Sequence, residues 1–208
     1  MAVLILAAAG CGGGIGPGDG AERPRFQTWV DRRFANVVRQ ETDFTCGAAS
    51  LVTLVRALYG RDLTEPSVTD LIRRRYTEED WAQRQQDGLS MLDLKRAGEA
   101  LGLSVQGVRL SLDDLRALRG PVIVHLNKGR FQHFSVLRGL RGDRVYLADP
   151  LGGNIRMPLF EFAEEWTGSA LAVWVDDGRP LPADHALAVS DPIDPPERFV
   201  VRRALYSQ

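Results

Sequence analysis

The sequence predicts an α+β fold, with a helical N-terminal half packed on an antiparallel sheet. Three observations predict it. Before residue 103, apolar residues recur at helical spacing, in segments that open on Ser or Thr and often close on Gly. From 103 to 175 they fall in short alternating or compact apolar runs separated by tight turns. The two kinds of segment are segregated along the chain, whereas a parallel α/β sheet would interleave them.

Composition limits the function classes. A chain of 208 residues is one ordinary domain with room for tails. Its 44% hydrophobic and 25% charged residues suit a globular core. A net charge of −1 gives no nucleic-acid surface. The run Arg73-Arg74-Arg75 is short and reads as the solvated face of a helix. Cys11 and Cys46 are the only cysteines, too few for a disulfide scaffold. With three histidines they form no cluster at zinc-ligand spacing, so no metal or other cofactor is expected.

In chain order, residues 1–10 are apolar and alanine-rich but too short to span a bilayer. Ala8-Ala9-Gly10 before Cys11 resembles a bacterial lipoprotein cleavage site, although no positive charge precedes the apolar run. The expectation is export to the periplasm and membrane anchoring through a lipidated Cys11. A cleaved secretory signal is the alternative. Residues 12–24 are Gly- and Pro-rich and read as a flexible tether. Phe26, Trp29, Val30, Phe34, Val37 and Val38 follow at mixed spacing, as a short helix or an extended arm leading to Gln40.

A helix is expected from Cys46 to Gly60, with Thr45 as its N-cap. Thr64 opens the next, through Ile72, and Thr77 with Glu78, Glu79 and Asp80 opens another. Ser90 and Asp93 form a capping-box pattern that starts a helix ending at Gly102. Strands are then expected over 103–110, 121–126, 133–140, 144–148, 154–157 and 169–175, with short helices over 111–118 and 159–166. From 176 to 208 prolines crowd a polar segment, read as a tail or a strap over the surface, in which Phe199-Val200-Val201 offers an edge strand.

The chemistry centres on Cys46. In the first turn of a helix, the dipole and unpaired N–H groups favour a thiolate, the nucleophile of cysteine chemistry. Of His125, His133 and His185, His133 is the candidate base, because it begins an apolar strand at a sheet edge. Asp149 ends the strand hairpin-linked to it, so the two are expected to be neighbours although 16 positions apart. A carboxylate there would hold the imidazole tautomer. Gln40, six residues before Cys46, is the candidate oxyanion donor beside the Cys46 backbone N–H. Each signal alone is weak, since a lone cysteine is usually an inert core residue and an Asp before Pro is often a turn former.

Their joint order is more specific. Gln40, the run from Cys46 to Leu51, Pro121 to Val124, His133 to Leu137, and Val145 to Pro150 with Gly152-Gly153 closely resemble the bacteriocin-processing, double-glycine peptidase family. These are papain-like cysteine peptidases, and the resemblance covers residues 36–175. It implies Cys46 as nucleophile, His133 as base, Asp149 as orienting residue and Gln40 as oxyanion donor. Thr45 departs from the pattern, because the transporter-linked members usually carry Asp there. No membrane region or ATP-binding loop follows, so a stand-alone, exported member is expected, similar to those that accompany functional-amyloid secretion systems. The implied organisation is a signal and tether over 1–24, a peptidase domain over 25–175 and a tail over 176–208. The implied substrate is a secreted, amyloid-forming or otherwise exported polypeptide cut after small residues or Gly-Gly. Two alternatives stay open: a catalytically silent peptide-binding component of a secretion system, and another papain-like acyl-transfer enzyme.

Overall fold

The computed structural model describes residues 28–129 and 131–189. The expected signal and tether over 1–24, with Cys11, and the edge strand at Phe199-Val200-Val201 lie outside these residues.

Four helices of the first half open on a capping Ser or Thr. Thr28, Thr64, Thr77 and Ser90 accept from the N3 backbone N–H of α1 (Trp29–Arg33), α3 (Glu65–Arg73), α4 (Glu78–Asp87) and α5 (Met91–Ala100). Helix α2 (Cys46–Tyr59) lies among them and ends on Gly60 at φ 61°. Thr45 holds the N-cap position of α2, but its side chain makes no cap bond. Its backbone is not extended, with φ −100° and ψ 11°, and its hydroxyl turns back to the Thr42 carbonyl at 2.9 Å. The first N–H groups of α2 therefore keep no side-chain partner. The arginine run closes α3, where Arg73 pairs with Glu78 and Arg74 and Arg75 are exposed.

One antiparallel sheet makes up most of the second half. It contains β1 (Ser104–Arg109), β2 (Val122–Asn127), β3 (Gln132–Arg141), β4 (Arg144–Asp149), β5 (Gly153–Pro158) and β6 (Trp166–Trp174), in the order β1-β6-β2-β3-β4-β5. Short helices α6 (Leu112–Ala117) and α7 (Leu159–Glu165) complete the described elements. The expected α+β segregation holds. Strand β6 starts three residues earlier than expected, because Trp166 turns extended (φ −75°, ψ 128°) and pairs with Leu126.

Two apolar layers cover the two faces of the sheet. On one, Leu51, Leu54 and Val55 of α2 pack with Ile123, Phe134 and Val136. On the other, Leu115 of α6 and Phe162 of α7 pack with Leu126, Leu137 and Leu147. Gly47 lets α2 approach closely. A Cβ there would lie 2.9 Å from Leu94 and 3.2 Å from Phe134.

The segment after β6 runs as a strap as far as Val189. Leu187 is fully buried. Arg138, at a register shift in β3, donates to the Leu187 and Ala188 carbonyls at 3.0 and 2.7 Å and to the Asn154 side chain. The two carbonyl bonds hold the strap against β3.

Candidate active site

The start of α2, the start of β3 and the end of β4 meet at one place. Cys46 is 4% exposed, and His133 and Asp149 are 2% exposed. The Phe134 N–H donates to Cys46 Sγ at 3.4 Å. His133 Nε2 lies 2.8 Å from Asp149 Oδ2. Cys46 also acts on the imidazole, raising its pKa. The hairpin produces this meeting: β3 and β4 run antiparallel, so the beginning of one lies beside the end of the other.

Asp149 is held from several directions. Oδ1 accepts the Leu151 and Gly152 N–H groups at 3.0 and 2.7 Å. Lys128 Nζ lies 4.0 Å from Oδ2. Burial alone would raise the carboxyl pKa. The charges of His133 and Lys128, with hydrogen bonds from His133 and Gly152, instead hold it far below the usual carboxylate range. Burial likewise disfavours the imidazolium of His133. The Asp149 charge and hydrogen bond, with the bond to Cys46, outweigh it and raise His133 to about 9. With its pKa raised to about 9, His133 is an imidazolium at neutral pH, paired with the Asp149 carboxylate.

Gln40 and His133 line a common cleft of about 800 Å³, together with Phe44, Asp87, Phe131 and Leu151. The Gln40 amide donates to the Thr42 carbonyl at 3.0 Å, and its Oε1 is buried with no hydrogen-bond partner. Its backbone N–H is fixed to the Pro150 carbonyl at 3.1 Å, which ties the Cys46 loop to the Asp149 turn. The other two histidines are engaged elsewhere. His125 Nδ1 meets the Thr167 hydroxyl at 3.2 Å, and His185 Nδ1 accepts the Leu187 N–H.

Three neighbours of the site were not singled out from sequence. Lys128 sits in the β2–β3 turn, 4.0 Å from Asp149 Oδ2. Glu65 is 3% exposed and accepts the Glu41 N–H at 2.8 Å. Burial raises its pKa. In sequence it was indistinguishable from an ordinary first-turn acid of α3. Arg33 is 7% exposed and donates through Nε to the Gly152 carbonyl at 2.6 Å. No motif marked it.

Gly153 is a position where the backbone decides. At φ 75°, a Cβ would lie 2.5 Å from the Arg33 carbonyl oxygen. Gly153→Ala is expected to lower stability by about 2 kcal/mol or more, from left-handed strain together with the clash. Urea unfolding measures this, and a change under ~0.5 kcal/mol would show that the α1 arm yields freely.

The fold and this meeting of Cys46, His133 and Asp149 define the class of papain-like cysteine peptidases. The comparisons agree. Residues 35–178 match the model of the peptidase C39 family. The chain is 36% identical to the probable functional amyloid protease FapD of Pseudomonas aeruginosa, over 91% of this chain and 79% of that protein. It is 35% identical to the corresponding protein of Pseudomonas fluorescens, over 86% and 76%. Among solved structures, the peptidase domain of Streptococcus ComA, a bifunctional ABC transporter of a quorum-sensing pathway, aligns with a TM-score of 0.59 and 25% identity, covering 68% of this chain and 99% of that one. A double-glycine-motif protease from an AMS/PCAT transporter, solved with its leader peptide, aligns at 0.56 and 30%, covering 67% and 90%. The chain belongs to the peptidase C39 family and is a cysteine peptidase.

Proposed function

We propose that this peptidase cleaves an exported polypeptide through Cys46, His133 and Asp149. The observation that carries the assignment is the 2.8 Å contact of His133 Nε2 with Asp149, while the N–H of the next residue, Phe134, donates to Cys46 Sγ. Cys46 Sγ attacks the scissile carbonyl carbon as a thiolate, and the carbonyl π electrons move onto oxygen. His133 gives its proton to the leaving amine as the tetrahedral intermediate collapses to a thioester. Water, deprotonated by the now neutral imidazole, then releases the acyl group and returns the thiol. Asp149 keeps Nε2 as its donor and the ring in place.

Gln40 is the proposed oxyanion donor with the Cys46 backbone N–H. An amide carries two N–H donors, and the Thr42 carbonyl takes one. Gln40→Ala is expected to lower turnover by ~10²–10³ while leaving thermal stability and Cys46 alkylation at parent values. Full turnover, or an unfolded protein, would make Gln40 a loop residue.

The similarity to a double-glycine-motif protease supports a Gly-Gly or similar small-residue site. The similarity to functional amyloid proteases supports a secreted, amyloid-forming polypeptide as substrate. The apolar residues 1–10 followed by Cys11 support a periplasmic enzyme anchored through a lipidated Cys11, the tether over 12–24 giving the domain over 25–175 its reach. The test is mass spectrometry of co-secreted proteins from cells with the parent and with Cys46→Ala. A processed terminus that disappears in the variant is expected. Identical secreted masses would favour a silent peptide-binding component, and a product that gains an amine in place of water would indicate acyl transfer.

A further inference from the structure

Arg33 lies two residues before the segment matched by the family, which begins at 35. The family pattern therefore does not account for it, yet it is among the most buried charged residues described. Its guanidinium stacks 5.0 Å from the Trp29 ring and 5.6 Å from the Phe34 ring. Nε donates to the Gly152 carbonyl at 2.6 Å, while Nη2 is buried with no hydrogen-bond partner. Leaving a buried guanidinium nitrogen without a partner is costly, and such groups call for an explanation.

Gly152 accounts for the burial of Nε rather than of Nη2. Its carbonyl accepts from Arg33, and its N–H donates to Asp149 Oδ1 at 2.7 Å. The other oxygen of Asp149 holds His133. One residue thus joins Arg33 to the carboxylate that orients the imidazole. The same arm is fixed to the same turn at two further points. Asn154 donates to the Ala35 carbonyl at 2.8 Å and Gln40 N–H to the Pro150 carbonyl at 3.1 Å, and the Arg33 carbonyl oxygen passes within 2.5 Å of where a Cβ on residue 153 would stand.

We propose that Arg33 is a positioning residue for the peptidase reaction: its Nε–H fixes the Gly152 peptide, and through it the Asp149 carboxylate against His133. This rests on the roles proposed above for Asp149 and His133. The titratable groups that act on His133 are Asp149, Cys46 and Lys128, and the charge of His133 in turn acts on His125; Asp149 pairs with His133 and lies 4.0 Å from Lys128, and its charge acts on Arg33. Misplacing a group in such a site by about 1 Å can cost ~10²-fold in rate.

The test compares Arg33→Met and Arg33→Gln in the full chain. Both remove the cation. Gln places an amide nitrogen where Nε stood, and Met places a methyl group there. The readout is the rate of Cys46 alkylation by iodoacetamide at about pH 6, divided by the rate at about pH 10, where a thiol ionises without an imidazolium. Arg33→Met is expected to lower this ratio about tenfold, and Arg33→Gln to keep it within about twofold of the parent. A role in folding alone would shift the melting temperature and leave the ratio of the folded protein unchanged. A parent-like ratio in Arg33→Met overturns the proposal. So does an equal loss in Arg33→Gln, which would assign the effect to charge. If Arg33→Met does not fold, Arg33→Lys replaces it, keeping the cation without a donor at the Nε position, and the same two outcomes decide. Failure of both to fold marks Arg33 as a folding residue and overturns the proposal as well. Asp149→Asn is the control. If it lowers the ratio and the Arg33 variants do not, only Arg33 is misassigned; if it too leaves the ratio unchanged, the triad itself is wrong.

Discussion

His133→Ala is expected to reduce peptide turnover by on the order of 10⁴–10⁶-fold. The upper figure is the loss when the base of a serine-protease triad is removed, and the lower one allows for the greater intrinsic nucleophilicity of sulfur. The effect has two parts. Without the imidazolium, less of Cys46 is thiolate near neutral pH, so its alkylation slows as well. Without a proton donor, the tetrahedral intermediate returns to substrate instead of expelling the amine. His125→Ala is the control. That ring is half-buried against Phe134 and hydrogen-bonded to Thr167, and burial lowers its pKa. Turnover and alkylation should stay within about twofold of the parent. In the parent, turnover should fall as pH rises through about 9, where His133 loses its proton. Equal alkylation of the His133→Ala and parent proteins, or a larger loss in His125→Ala, would move the base to another histidine.

Much of the fold was legible because local chemistry and final packing agree. Thr64, Thr77 and Ser90 announce helices in sequence, and each caps one in the structure. The turns at Arg141 to Arg144 and at Asp149-Pro150 delimit β4 within a residue of the expected bounds. The meeting of His133 and Asp149 was legible as hairpin geometry. What escaped depends on contacts far apart in sequence. Thr45 reads as a cap, yet its hydroxyl turns back to the Thr42 carbonyl. Arg33 and Gly152 are 119 residues apart, and no periodicity relates them. The cover of the second sheet face by Leu115 and Phe162 appears only once β2, β3 and β4 lie side by side.

Asp149→Asn is expected to cost ~10⁴-fold in turnover, the loss when the corresponding triad acid becomes an amide. An amide retains an acceptor, but it has no charge to support the imidazolium, and its NH₂ can turn toward the ring and select the wrong tautomer. The same substitution should change stability with a defined pH dependence. His133 has a folded pKa raised to about 9, above an unfolded value of ~6.5. Its contribution is therefore full below ~6.5 and is lost as pH rises through about 9. Asp149 is depressed in the fold. Its contribution is present above ~3.9 and is lost as pH falls through the folded value. In the Asn variant neither contribution remains, and burial then disfavours the His133 charge without opposition from a carboxylate. The stability gap between parent and variant should thus be widest between about pH 4 and 6.5 and should narrow toward about pH 9. Urea unfolding across that range measures it. A gap that is constant from about pH 5 to 9.5 would mean that the 2.8 Å contact carries no charge coupling, and Asp149 would then act only as the acceptor that shapes its own turn.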